Sequence, residues 1–214
     1  HQDTSTAQLN VGGTWNVGGR FDAHALSDMQ DIQVTLDNTK GGLGALSAVW
    51  FTNEVGNESS TEVNVLAGDA TTDTSISAGD VKLLAETQWG LKPYEGGLIV
   101  NSEVYGAITG SGIGFTNNYN RISSTTIGKH SQLVAGNSLC AIAKTKADVD
   151  ASALARTAGA FDVQAGPLDS SLTEKNLVTV EDNAVLRTNA VNGVLGLSAS
   201  SDSSIGQEIY SRIE

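Results

Sequence analysis

The chain reads as all-β and mainly antiparallel, a β-sandwich or jelly-roll-like domain with one or two short helices. Three observations predict this. Only 17% of the 214 residues are charged, and polarity comes instead from Ser, Thr, Asn and 24 Gly. That balance suits strand faces and turns, whereas helix surfaces draw on Glu, Lys and Arg. Ile32, Val34 and Leu36 alternate with polar residues at a period of two, and Val63 and Val65 repeat the pattern. Asn192-Gly193, between Val191 and Val194, is the dipeptide that tight hairpins favour, because both residues tolerate positive φ.

In chain order, strands are expected at 8–11, 15–21, 31–37, 43–51, 62–66, 81–86 and 98–108. Further strands follow at 133–135, 139–144, 161–164, 177–181, 184–188 and 194–198. Asn, Asp and Gly collect at 38–42 and 181–183, which reads as hairpin loops. One helix is expected over 151–157, where Asp148 or Asp150 caps an alanine-rich stretch stopped by Gly159. A second is expected at the C-terminus. There Ser204 and Gln207 form a capping box, and Ile205, Ile209 and Ile213 share a helical face. No repeat of fixed period is visible, and Pro93 and Pro167 are the only prolines. The expected organisation is an N-terminal segment, 1–13, ending in a glycine hinge, then one β-rich domain, 14–214. An exposed acidic excursion is expected at about 53–80.

Charge narrows the partners. The net charge is −12, and no basic residue falls between Lys40 and Lys82. Such a field repels phosphate backbones and anionic lipid, so neither nucleic acid nor a membrane surface is an expected partner. No run approaches the ~18 to 20 apolar residues of a membrane helix. The chain starts at His1 and its single methionine is Met29. This predicts removal of an N-terminal leader and a place outside the cell or on its surface. Cys140 is alone, so neither an internal disulfide nor a cysteine-based zinc site is available. In the apolar stretch 139–143 it reads as a small buried hydrophobe.

Two metal readings arise. An N-terminal histidine binds copper through its amino group and ring, and His24 or His130 supplies a second imidazole to His1. That arrangement resembles lytic polysaccharide monooxygenases and implies a secreted copper enzyme. Aromatic residues make up only 5% of the chain, however, which is poor for a sugar-stacking platform, and Trp15, Trp50 and Trp89 read as core. Asp69, Asp73 and Asp80 offer hard oxygen ligands for a structural calcium ion, although their spacing departs from an EF-hand loop. Gly136-Asn137-Ser138-Leu139-Cys140 matches a nucleophile elbow only in part, since cysteine replaces the final glycine. Gly110-Ser111-Gly112-Ile113-Gly114 lacks the lysine of a phosphate loop. Asn57-Glu58-Ser59 is a glycosylation sequon. No catalytic residue and no resident cofactor is assigned, and the protein is expected not to be an enzyme.

The assembly reading starts from Ala7, Leu9 and Val11, which alternate along one face ahead of Gly12 and Gly13. A short strand on a glycine hinge can complete the sheet of the next copy by β-augmentation. In those residues it resembles donor-strand pilins, whereas the C-terminus departs from their pattern by ending in an expected helix. The expected function is a structural, self-assembling subunit of an extracellular filament (pilus- or fimbria-like) or a surface layer, whose partners are copies of itself. The alternative is a virion structural protein, a capsid, decoration or tail-tube subunit.

Overall fold

The computed structural model describes residues 2–3, 6–29, 34–68, 74–91, 98–159, 161–166 and 168–213. Among them the regular structure is entirely strand. The elements are β1 (Gln2–Asp3), β2 (Thr6–Val11), β3 (Thr14–Met29), β4 (Val34–Val65), β5 (Ser75–Leu91) and β6 (Leu98–Ile127). They continue with β7 (Gln132–Ala158), β8 (Phe161–Ala165), β9 (Leu168–Val180), β10 (Val185–Thr188) and β11 (Val194–Ile213).

All of these strands join one sheet, and every pairing in it is parallel. The antiparallel sandwich or jelly roll expected from the sequence is therefore corrected to a single all-parallel sheet. The offsets between partners show how a chain without helices achieves this. Val34 lies beside Leu98, 64 residues on, and Ile108 beside Phe161, 53 residues on. The smallest offset, between Gln2 and Glu54, is 52. Each stretch of chain therefore stacks on the stretch one winding later. A parallel pair needs a long crossover, usually helical; here the crossover is the rest of the winding.

The corners carry the same message. Leu66 N–H donates to Val11 O at 2.8 Å, Gly128 N–H to Val65 O at 2.9 Å, and Glu181 N–H to Ile127 O at 2.9 Å. Just past the turn, Ser75 N–H donates to Gly13 O, Gln132 N–H to Thr74 O, and Val185 N–H to Ser131 O. One corner thus recurs in four successive windings, and the backbone ladder continues around it. Gly13, His130 and Asn183 take positive φ there. His and Asn, with glycine, are the residue types in which that conformation is least unusual.

The strands bend with the coil. A straight strand of 32 residues, the length of β4, would reach ~100 Å, far more than a chain of this size spans when compact. The sheet curls into a nearly closed, barrel-like wall whose inward faces meet. One apolar cluster packs Val63, Val65 and Ile127 from one wall against Leu83, Leu139 and Ala141 from the other. A second holds Trp89, Phe115, Tyr119, Ala147 and Val149, with the Trp89 and Tyr119 rings 3.7 Å apart.

Between the two clusters lies a buried zigzag of hydroxyls. Thr61 bonds Thr87 at 2.8 Å, Thr87 bonds Ser123 at 2.8 Å, and Ser123 bonds Thr145 at 3.2 Å. Thr145 then donates to Asn176 Oδ1 at 2.7 Å. Buried hydroxyls are tolerated here because each finds a partner across the interior.

The expected helices are corrected too. Residues 151–157 belong to β7, where Ala151, Ala153 and Ala155 are buried between half-buried neighbours. The stretch from Ser204 to Ile213 belongs to β11, paired with β7 from Asp148 to Thr157. The hairpin expected at Asn192-Gly193 does not form either. β10 and β11 on either side of it both run parallel to β7, and neither residue has positive φ. The 38–42 loop is likewise continuous strand within β4, and 181–183 is a corner rather than a reversal.

Candidate functional site

A second irregularity recurs where β3, β5 and β7 each break register. The breaks fall between Val17 and Arg20, between Ala78 and Asp80, and between Ala135 and Ser138 opposite. Gly18, Gly19, Gly79 and Gly136 fill these bulges, where a strand can turn without a side chain in the way. The outward wall just beyond them forms a groove of about 350 Å³, lined by Arg20, Asp80, Lys82, Ser138, Cys140 and Ile142. Ser138 donates to Asp80 Oδ1 at 2.6 Å, and Arg20 pairs with Asp22 at 2.7 Å.

This groove contains the serine and cysteine of the elbow-like motif, but not as an elbow. Ser138 sits on a parallel strand that continues as strand, without the strand-to-helix turn that strains and activates such a nucleophile. Its one hydrogen-bond partner shown is a carboxylate rather than an imidazole. Cys140 points outward and is half-buried, while its neighbours Leu139 and Ala141 fill the core.

The metal candidates disperse. His24, on the outer face of β3, pairs with Glu86 at 3.3 Å, and Lys144 meets the same carboxylate at 3.6 Å. His24 lies in the row of Leu84 and Ile142, whereas His130 occupies the corner before β7. That is ~40 Å back along the strand path. His1, Asp69 and Asp73 lie outside the described residues, and Asp80 is the groove residue bonded by Ser138. Among the described residues no group of three His, Cys, Asp or Glu is placed to hold a metal ion.

The N-terminal assembly residues have a definite place. Ala7, Leu9 and Val11 in β2 stack on Thr61, Val63 and Val65 of the same chain. Gly12 and Gly13 make the first corner, with Trp15 Nε1 donating to Gly12 O at 2.9 Å. Of the three tryptophans read as core, Trp89 alone is buried. Trp50 is exposed and its ring lies over Gly114, 3.0 Å from where a Cβ would stand. In the sequon, Ser59 is buried.

The feature that sequence reasoning missed is the pair of open sheet edges. Among the described residues β3 pairs only with β5, and β10 and β11 only with β7. Each edge exposes side chains of kinds that are buried one winding further in. Ile76 is 0% exposed, but Trp15 in the same row is 46% exposed. Leu139 is 0% exposed and Leu195 beside it 51%; Ala141 is 0% and Leu197 51%. Aligning the segments 11–25, 65–85, 127–143 and 180–199 on one another would have revealed these rows.

No protein-family model matches the chain, and neither the curated proteins nor the solved structures hold a match. The fold itself defines the class: a parallel β-coil in which each winding is the template for the next.

Proposed function

We propose that this protein is a structural, self-assembling subunit of an extracellular filament or surface layer. The observation that supports the reading is the pair of sheet edges that no described strand covers, each lined by apolar side chains. A sheet edge beside exposed Leu and Trp is a ready template for another strand. β-Augmentation uses such edges for affinity and the alternating side chains for register. The acidic coat of −12 keeps the outer wall soluble and leaves the ends as the adhesive surfaces. Contacts of this kind join unlike surfaces and do not close, so they generate filaments rather than rings.

Electron microscopy and sedimentation of the purified chain over a wide concentration range test the reading. Open filaments or sheets are the expected product. Closed shells would move it to a virion structural subunit. A chain that stays monomeric at millimolar concentration would overturn self-assembly altogether.

A further inference from the structure

We propose that copies of this chain stack head to tail by continuing the coil, the first-winding edge of one copy pairing in parallel with the last-winding edge of the copy before it. The proposal rests on the self-assembly reading and adds the partner surface and its register. Both edges belong to the same rows. Phe21, Val81, Leu139 and Leu195 form one inward row, and Ala23, Leu83, Ala141 and Leu197 the next. Ala25, Ala85, Ala143 and Ala199 form a third. A second copy placed one winding on would set its Phe21 on Leu195, its Ala23 on Leu197 and its Ala25 on Ala199. The first row would stay large, the second would keep the Ala–Leu alternation it has within the chain, and the third would stay alanine. On the facing wall the row Val11, Val65, Ile127, Val180 would continue in the same way. The polar row continues as well, because Ser27, Thr87, Thr145 and Ser201 line up between the two apolar clusters.

The two edges also match in length. The first winding runs to the residues that Phe161–Ala165 overlie at two removes, and the last runs from there to Ile213, above Lys40 at three. Gln2 lies in the row of Ser171 through Glu54 and Asn118, so an added copy would face the last winding from Ser171 to Ile213 with its own stretch from Gln2 to Lys40. One row opposes the junction. Asp28 would meet Asp202, which within the chain lies beside Lys146.

Cross-linking reads the register directly. His24 and Ser198 are exposed and bracket one outward row, His24, Leu84, Ile142, Ser198. Within one molecule they are three strand spacings apart, ~14 Å, beyond the ~7 Å reach of a disulfide. Across the proposed junction they become direct neighbours. In a Cys140→Ser chain, His24→Cys with Ser198→Cys should give, on oxidation, a ladder of covalent oligomers that collapses on reduction. Either single substitution should stop at dimers. Leu26→Cys with Ser200→Cys repeats the test in the adjacent outward row, in case the first pair disturbs folding. Assemblies seen by microscopy without a ladder from either pair would overturn this junction while leaving self-assembly standing. Absence of any assembly in the unmodified chain would overturn both.

Discussion

The inner windings and the last winding are built from nearly the same side chains, yet they sit in different environments. Leu139 is sealed between β5 and β11, with the opposite wall in front of it. Leu195 occupies the same row one winding on, with β7 on one side and no described strand on the other. The difference teaches that burial in this fold comes from having a neighbour above and below. The alternating pattern only decides which side chains face inward.

That contrast can be pressed hardest with one substitution at two places. Leu139→Ala should cost about 3 kcal/mol in urea unfolding, the usual range for an enclosed core leucine. Leu195→Ala should cost about 1 kcal/mol or less, because half of the side chain is already exposed. Equal losses would mean that the last winding is as enclosed as the inner ones. The polar rows give a milder version. Thr145→Val leaves Ser123 and Asn176 without a shared buried partner and should cost about 1 to 2 kcal/mol. Ser201→Ala, in the same row on the exposed winding, should change thermal stability little. The smallest effect on folding is expected from Asp202→Lys. It replaces the carboxylate that would meet Asp28 at the proposed junction, and it should lower the protein concentration needed for assembly several-fold in sedimentation.

Much of the local structure was legible in the sequence and the global arrangement was not. The period-two runs at 62–66, 81–86 and 139–144 are strands, with Val63, Val65, Val81, Leu83, Leu139 and Ala141 facing inward. Strand direction leaves no trace in such runs when the outer face is wet. Parallel sheets usually betray themselves by continuous apolar strands covered on both faces, but this coil covers only its inner face and so alternates like an antiparallel sheet. The two helices failed for separate reasons. At 151–157 the inward and outward residues include Ala151, Ala153, Leu154 and Ala155, so the alternation is hidden and helix propensity dominates the reading. Pairing with β6 and β11 overrides that propensity. At the C-terminus a spacing of four between Ile205, Ile209 and Ile213 suits a helix face. It is also an even number and so equally suits one side of a strand.

The repeat was hidden because its length drifts between 52 and 64 residues as corners and bulges lengthen or shorten. Of the candidate sites, the Ala7, Leu9 and Val11 face was visible beforehand. The Arg20, Asp80 and Ser138 groove was not, since only winding brings three distant bulges into one line.

The central claim is that β11 runs parallel to β7 in the stated register, and the chain's single cysteine makes it directly testable. Gly196 lies opposite Cys140, and a Cβ on Gly196 would stand 3.6 Å from the Cys140 sulfur. In-register neighbours ~4.8 Å apart fall within the Cα range of a disulfide. Gly196→Cys should therefore oxidise to an intramolecular disulfide with Cys140, seen as a linked peptide pair in non-reducing mass spectrometry of the monomer. Leu195→Cys and Leu197→Cys face the other way and should keep free thiols. A link to position 195 or 197, or two free thiols in the Gly196→Cys monomer after oxidation, would contradict the coil.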